Sequence, residues 1–351
     1  MDRARVKFTF VTPCITSGAD KLKAELRIPS IRGQLIWWAR ALGVKNIENI
    51  FGGVSGEAKA SSLVIRDFTD KIEISCADGG NISGNRFDYL LWPMRGTREN
   101  PRAGERGFIK EGQSIELELY HRKFLHSETL PDKVLKAFLI LGSLGTRSRR
   151  CYGSVYPQSL TIDNTEWRVP QNLENLKKEL ESIIPKQISC KIILISTPVS
   201  NCKTAVEKCS LYLKNFRAGK TAHGTTASEW GANDHDAPFN NEVDCVFRPA
   251  IGLPLKQSYR SNRRNYDIEV SGYERLASPL HLKVIKLCNQ YYPLAIFFPD
   301  HSIQQDTEIM IKERGNYIKK LPLDQGLLEN MMKPDPEYWN EPIEVLFDSY
   351  S

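Results

Sequence analysis

A strand followed by a helix occurs near the start of each half of the chain, and this repeat constrains the fold most strongly. The segment at 6–12 alternates apolar with polar or basic residues and places Val6, Phe8 and Phe10 on one face, which predicts a half-buried strand. Apolar residues at helical spacing then predict a helix over 30–42.

Further apolar runs complete this first unit. A second helix is predicted after Pro131, and a glycine-bearing stretch at 141–155 leads into another strand. The order of strand, helix, strands, helix and strand is typical of a split βαβ, or ferredoxin-like, unit, in which two helices cover one face of an antiparallel sheet. The strands predicted between the two helices lie at 61–68, 71–76, 87–93 and 114–121.

The pattern partly repeats in the second half of the chain. A β-branched run at 188–197 predicts a strand, and an amphipathic pattern at 204–216 predicts a helix. Because 351 residues supply enough apolar surface for two cores, we predict an α+β chain with two ferredoxin-like domains in tandem. The later strands are predicted at 243–254, 278–287 and 291–298.

A polar, helical region separates the two halves. We therefore predict an N-terminal domain at 1–166, a helical connector at 167–187 and a C-terminal domain at 188–351. Residues 217–241 are rich in glycine, alanine, asparagine and aspartate without periodicity, so a long surface loop is expected there. The chain ends in an acidic tail.

The sequence carries a moderate excess of base. Lysine and arginine total 48 against 42 aspartates and glutamates, which gives a formal net charge of +6. This balance permits a polyanionic partner. No run approaches the roughly 20 apolar residues that span a bilayer, and the N-terminus lacks the apolar core of a signal peptide. We expect a cytoplasmic protein with no membrane contact.

The eight cysteines are scattered singly, which favours free, mostly buried thiols over a disulfide framework. A metal site is a weaker interpretation than core cysteines and loop histidines, because the spacing of the candidate ligands matches no familiar pattern. Those candidates are Cys202, Cys209, His223, His235 and Cys245.

A glycine-rich segment at 142–153 contains three arginines and no acid. Glycine lets a backbone approach a ligand closely, and arginine makes planar contacts with phosphate, so the segment is a candidate cradle for a phosphate backbone. A glycine-rich connector with solvated arginines explains the composition equally well. The candidate residues are Gly142, Gly145, Arg147, Arg149 and Arg150.

A second basic cluster occupies 253–266 and combines Lys256, Arg260, Arg263 and Arg264 with two tyrosines. Basic residues interleaved with aromatic rings suit a single-stranded nucleic acid, because bases stack on rings while the backbone is neutralised. The alternative is a solvated loop.

A third cluster, within 87–110, is partly balanced by glutamates, which favours a lid or a subunit contact. Its basic residues are Arg95, Arg98, Arg102, Arg106 and Lys110.

The first helix, with Ser30 as its candidate N-cap, carries two adjacent tryptophans. Trp38 shares the apolar face and is predicted to be core, whereas Trp37 points about 100° away and is a candidate partner contact. Arg32 in the first turn opposes the helix dipole, which suggests that it holds a phosphate or a buried acid. Arg40 follows on the same helix, so that Arg32 and Arg40 flank the two tryptophans.

Enzyme signatures are sparse. The sequence lacks the phosphate-binding loop of nucleotide hydrolases, the GxSxG of serine hydrolases and the HExxH of metalloproteases, and nothing in it indicates a cofactor, a metal or a small-molecule substrate. A histidine is able to act in metal-independent RNA cleavage. For each of the four candidates a structural role is favoured, namely for His121, His126, His223 and His235.

Taken together, these motifs resemble the RAMP superfamily, and within it the first-numbered subunits of Cmr, the type III-B CRISPR RNA-guided effector. The motifs that carry the resemblance lie at 12–20, 25–42, 51–53, 141–155, 252–256 and 277–284. Cys151 departs from the pattern, since the family commonly has glycine after the double arginine.

The resemblance implies two ferredoxin-like RAMP domains and a non-catalytic role at the head of the complex, in antiviral defence. Such subunits contact the 3′ region of the guide crRNA or the target RNA, beside other RAMP subunits. It also implies that the arginines of helix 30–42, the glycine-rich segment and Lys256 with Arg260 contact RNA.

Two other functions remain open from the sequence. The first is a metal-independent endoribonuclease that processes CRISPR RNA, with His121 or Tyr152 as the base nearest the glycine-rich segment in sequence. The second is a structural subunit whose basic patches meet acidic protein neighbours.

Overall fold

The computed structural model describes most of the chain, in eleven ranges. Among the residues in these ranges no helix has the length and apolar character needed to cross a membrane. The described residues are 1–54, 58–78, 82, 89–96, 99–122, 128–218, 228–253, 255–258, 264–270, 276–334 and 342–350.

In its described residues the N-terminal domain contains one main sheet, a small two-stranded sheet and three α-helices. The strands are β1 (Arg3–Phe10), β2 (Leu63–Asp67), β3 (Ile74–Asp78), β4 (Glu105–Ile109), β5 (Ser114–His121), β6 (Val155–Ile162) and β7 (Thr165–Glu166). The helices are α1 (Ile28–Ala41), α2 (Ile47–Phe51) and α3 (Asp132–Leu141).

The main N-terminal sheet has the strand order β2-β5-β1-β6-β7, with antiparallel pairing throughout. Helix α1 connects β1 to β2, and α3 connects β5 to β6, so each helix crosses over one intervening strand. This is the ferredoxin-like arrangement predicted from the sequence. Strands β3 and β4 form a separate hairpin inserted between β2 and β5.

The core of this domain lies between the sheet and the helices α1 and α3. The three residues predicted to share one face of β1, namely Val6, Phe8 and Phe10, are all buried. The ring of Phe8 packs edge-on against Phe138 of α3, with centroids 6.1 Å apart. Trp38 is also buried, which confirms its predicted place in the core.

Helix α4 (Leu173–Ile183) follows β7 in the chain, and the C-terminal domain then repeats this plan with larger insertions. Its helices are α5 (Cys202–Arg217), α6 (Glu229–Asp236) and α7 (Gly326–Met332). Its strands are β8 (Lys191–Leu194), β9 (Leu255–Ser258), β10 (Asn265–Val270), β11 (Leu280–Leu287), β12 (Gln290–Phe297), β13 (Glu308–Glu313), β14 (Asn316–Pro322) and β15 (Glu344–Asp348).

The second ferredoxin-like sheet has the order β11-β12-β8-β15, again antiparallel. Helix α5 lies between β8 and β11 in the chain, and α7 lies between β12 and β15, as in the first domain. Both connections carry insertions, whose strands combine into a further sheet of order β14-β13-β10-β9. The prediction of two tandem ferredoxin-like domains is confirmed.

Several local predictions were wrong. Residues 87–93 were expected to form a strand, but Tyr89–Met94 is a 3₁₀ helix with Pro93 inside it. The strand expected at 243–254 is replaced by a 3₁₀ turn at Arg248–Ile251, because a proline in the first turn has no amide for a sheet ladder.

Two helix starts also differ from the sequence predictions. Arg27, and not Ser30, precedes the first turn of α1, and Pro29 within that turn fixes its backbone. Helix α6 lies inside the expected loop at 217–241, because the Ser228 side chain accepts a hydrogen bond from the amide of Gly231 and caps it.

Candidate nucleic-acid interface

A cleft of about 720 Å³ lies at the junction between the two domains. We name it the arginine cleft, because five arginines of the described residues, from three separate parts of the chain, line it. Among its described lining residues none carries a carboxylate. The five arginines are Arg147, Arg149, Arg150, Arg217 and Arg248.

The glycine-rich segment at 142–153 forms part of this cleft because it pairs with the second sheet. The amide of Cys151 donates to the carbonyl of Leu282 at 2.9 Å, and the amide of Leu282 donates to the carbonyl of Arg149 at 3.1 Å. Since β11 is the edge strand of that sheet, the segment extends the sheet by a short parallel bridge. A loop of the N-terminal domain thereby holds the C-terminal domain in place.

The side chains of Arg149 and Arg150 strengthen the same joint. Arg150 donates to the carbonyl of Leu280 at 2.9 Å, and Arg149 donates to the carbonyl of Ser278 at 2.9 Å. Arg150 is only 8% exposed. A guanidinium group has five N–H donors, so these contacts leave others for a ligand in the cleft.

The glycines of the segment serve packing within the protein. Gly145 has a φ of +81°, and a Cβ there would lie 2.4 Å from the carbonyl oxygen of Ile15. At Gly142 a Cβ would lie 2.4 Å from the carbonyl oxygen of Phe138. At both positions glycine therefore allows another part of the chain's own backbone to approach closely. The sequence suggested a close approach to a ligand instead.

Arg147 positions an aromatic wall of the cleft. Its Nε donates to the carbonyl of Leu90 at 2.8 Å, within the 3₁₀ helix Tyr89–Met94. Trp92 of that helix lines the cleft and is 56% exposed. The guanidinium carbon of Arg95 lies 4.7 Å from the centre of the Trp92 ring.

Arg217 and Arg248, which the sequence reasoning missed, belong to the C-terminal domain. Arg217 is the last residue of α5, and Arg248 begins a 3₁₀ turn. The Nε of Arg248 pairs with Asp234 at 3.1 Å, and this carboxylate is fully buried. No local sequence signal links these residues to 142–153, because only the packing of the domains brings them together.

Like charges in the cleft disfavour one another. Burial lowers the pKa of Arg150 to about 9, and the neighbouring Arg217, Arg147 and Arg149 act in the same direction. Burial also lowers the pKa of Arg217. A bound anion would relieve this repulsion, which makes the cleft a candidate site for phosphate groups.

Trp37 lies beside the cleft in an aromatic cluster that joins the domains. Its ring centre is 4.7 Å from His281 and 5.4 Å from Phe298, both in the C-terminal domain. The guanidinium of Arg149 lies over the same ring, with 5.5 Å between its carbon and the ring centre. The sequence suggested Trp37 as a partner contact, but here it contacts the other domain of its own chain.

His281 was also missed from the sequence, although it is a histidine near the glycine-rich segment in space. Burial lowers its pKa well below the ordinary value, and Arg149 and Arg150 add to this effect. Its surroundings at the domain junction therefore favour the neutral imidazole.

Arg32 and Arg40 do not line the cleft. Arg32 donates to the hydroxyl of Ser61 and to the carbonyl of Leu63, so it anchors β2 to α1 and holds no buried acid among the described residues. Arg40 is exposed on α1.

The second basic cluster is only partly described. Lys256 lies in β9 beside Leu255, a residue that lines the cleft. Arg264 is exposed and pairs with Glu313 at 3.6 Å. Arg260 and Arg263 lie outside the described residues, and so does Arg98 of the third cluster.

The described histidine candidates for catalysis, His121 and His235, do not line the cleft. His121 is buried, with Nε2 accepting from the amide of Leu130 at 3.0 Å and Nδ1 lying 3.1 Å from the Ser62 hydroxyl. Tyr152 is fully buried, and His235 is exposed beside its neighbour Asp236.

His126 and His223 lie outside the described residues. In the part of the chain that is described, no group of three or more histidine, cysteine, aspartate or glutamate side chains is arranged to hold a metal ion.

Residues 7–156 match the family model of the RAMP superfamily. This range runs from β1 into β6 and includes the glycine-rich segment. The resemblance drawn from the motifs is thereby confirmed over this range.

Two solved structures share the fold over nearly all of this chain or all of it. Cmr1 from Pyrococcus furiosus, in its apo form, is 15% identical, with a TM-score of 0.59 and coverage of 100% of both chains. A chain of the type III-B Cmr-beta structure with cognate target RNA and AMPPnP, in the presence of ssDNA, is 12% identical, with a TM-score of 0.50. It covers 94% of this chain and 97% of that one. No curated protein matches the sequence.

Proposed function

We propose that this chain is a non-catalytic RNA-binding subunit of a type III-B, or Cmr, CRISPR RNA-guided effector complex. Its partners are the crRNA, at the 3′ region, the target RNA, or both, together with neighbouring RAMP subunits. The fold shared with Cmr1 and with a chain of the Cmr-beta structure supports the place in the complex.

The observation that carries RNA binding is the convergence of five guanidinium groups in the arginine cleft. Arginine suits phosphate because its planar donors reach two oxygens at once. A cleft that is basic and partly aromatic fits an RNA strand better than it fits an acidic protein surface.

A non-catalytic role is supported by the chemistry of the cleft. Its described lining residues include one tyrosine, Tyr89, but neither a histidine nor a carboxylate that would act as a general base. His121 uses both ring nitrogens inside the fold. An endoribonuclease therefore has less support than a binding subunit.

The test is RNA binding by the purified full chain at several salt concentrations. A variant with Arg149→Gln and Arg217→Gln should bind more weakly, and its log-log salt slope should fall by about 0.7 for each phosphate that it no longer neutralises. A matched control is the pair Arg5→Gln and Lys7→Gln, which removes the same charge from the exposed face of β1.

Unchanged affinity and slope in the cleft variant would exclude this site. A second experiment tests the alternative of a metal-independent endoribonuclease by incubating the wild-type protein and both variants with repeat RNA in EDTA. Specific cleavage by the wild type and the control variant, but not by the cleft variant, would show that the protein is an enzyme.

A further inference from the structure

The arginine cleft is not lined by charge alone. The C-terminal domain contributes apolar surface from Leu253, Leu255 and Leu276, and the N-terminal domain contributes the rings of Tyr89 and Trp92. A site that met only phosphates would gain nothing from apolar walls, whereas the faces of nucleobases pack well on such surfaces.

Trp92 is exposed for a structural reason. Its 3₁₀ helix buries Leu90, Leu91 and Met94, which directs the Trp92 side chain towards solvent. Arg95 covers part of the ring, at 4.7 Å from its centre, and Arg147 holds the helix by the carbonyl of Leu90. The ring is therefore held in position, and at 56% exposure it retains surface for a base.

Two arginines of the cleft have unused donors. Arg217 lines the cleft at the end of α5 and forms no hydrogen bond or ion pair with any residue that the structure describes. Arg248 pairs with Asp234 through Nε, but its Nη2 has no hydrogen-bond partner among the described residues. Arg217 is half-buried, whereas Nη2 of Arg248 is buried. A buried cationic donor without a partner is costly unless an anion completes the site.

We infer that the arginine cleft binds a single-stranded segment of RNA by its bases as well as its phosphates, with a base stacked on Trp92 and a phosphate at Arg217 and Arg248. This inference rests on the proposed function and specifies it. A cavity of about 720 Å³ has room for about two nucleotides. An RNA duplex offers no free base for stacking on Trp92, because its bases are already stacked within the helix.

The first experiment compares competitors for a fluorescent oligouridylate bound to the full chain. The competitors are unlabelled oligouridylate, an abasic ribose-phosphate oligomer of the same length and an RNA duplex. We expect the abasic oligomer and the duplex to compete at least about tenfold more weakly, since one stacked base contributes a factor of this size.

The second experiment assigns this preference to Trp92. Trp92→Ala should weaken oligouridylate binding about tenfold, leave the salt slope unchanged and abolish the preference over the abasic oligomer. Trp92→Phe should restore most of the preference. Tyr317→Ala is the matched control, because Tyr317 is also 56% exposed but does not line the cleft.

The outcomes separate this inference from the proposed function. If the abasic oligomer competes as well as oligouridylate while Arg217→Gln weakens both, the cleft binds RNA by phosphates alone and the stacking inference is overturned. If Arg217→Gln changes neither affinity nor slope, the phosphate site at Arg217 is overturned. If the wild-type chain binds neither oligomer, the proposed function fails as well.

Discussion

The side-chain amine of Lys283 donates a hydrogen bond to the carbonyl of Val155 at 2.6 Å, across the junction between the two domains. It also donates to the carbonyl of Gly142, the residue that directly follows α3. Lys283 is fully buried, and this burial lowers its pKa well below the ordinary value. A lysine on β11 thus supplies donors to two backbone groups of the other domain.

Lys283→Met should destabilise the fold, because it leaves these two buried carbonyls without a donor. We expect a decrease of about 2 kcal/mol in the free energy of unfolding at about pH 9. The pKa of Lys283 is lower in the folded state than in the unfolded state. Between these two pKa values the folded state therefore binds fewer protons than the unfolded state. The stability of the wild-type protein consequently rises with pH towards about 10.4. The stability that Lys283→Met loses relative to the wild type should therefore be smaller at about pH 6, because burial of a charged Lys283 already destabilises the wild type there.

Urea denaturation at both pH values measures the free energy of unfolding of the two proteins. An equal difference between variant and wild type at the two pH values would contradict this account.

His121 should make the protein sensitive to acid. Burial lowers its pKa below the ordinary value, so the unfolded state binds more protons between that lowered pKa and about 6.5. The neutral His121 side chain therefore contributes its full share of stability above about pH 6.5. This contribution is lost as the pH falls towards the pKa that His121 has in the folded protein. His121→Ala leaves the amide of Leu130 without its acceptor, which should cost about 2 kcal/mol at about pH 7.5 and less in acid. Denaturation curves of the wild type and the variant across this pH range test whether the stability difference between them decreases in acid.

Cys151 occupies a backbone conformation that favours glycine, with a φ of +70°. Cys151→Gly should change stability by less than about 1 kcal/mol, because relief of the left-handed backbone offsets the loss of a buried side chain. Cys151→Val should cost more than about 2 kcal/mol, since β-branched residues are strongly disfavoured there. Thermal unfolding of both variants is the measurement. A valine variant as stable as the wild type would show that the conformation adds no strain.

Arg32 tests whether the first helix acts in binding or in the fold. Its hydrogen bonds to Ser61 and Leu63 predict that Arg32→Gln lowers stability by about 1–2 kcal/mol. RNA affinity should change far less than in a cleft variant. Arg40→Gln, on the exposed side of the same helix, is the control and should change neither quantity. Weaker RNA binding with unchanged stability in Arg32→Gln would restore Arg32 as an RNA contact.

Periodic segments were predictable from the sequence because burial follows directly from spacing. Phe8 and Phe10 alternate with polar or basic residues along β1, and Leu35 and Trp38 recur on one face of α1. The 3₁₀ helix at Tyr89–Met94 was not predictable in this way, since its apolar run resembles a strand until the packing of Leu90 and Met94 is known.

The sequence also showed that the candidate site is basic, but it did not show which residues form the site together. Arg147, Arg149 and Arg150 are neighbours in the chain, so their clustering is local. Arg217 and Arg248 come from distant elements, and nothing in their own surroundings indicates a common site.

The sequence by itself determined two ferredoxin-like units and a basic segment between α3 and β6, because periodicity and local composition depend only on neighbours along the chain. The tertiary structure decided where that segment lies. Backbone pairing of Cys151 with Leu282 joins that segment to the second sheet, and this pairing together with other long-range contacts places the segment, Trp92 and Arg217 in one cleft. The reason is physical: contacts between distant parts of a chain are set by the packing of its domains and leave no periodic signal in the sequence.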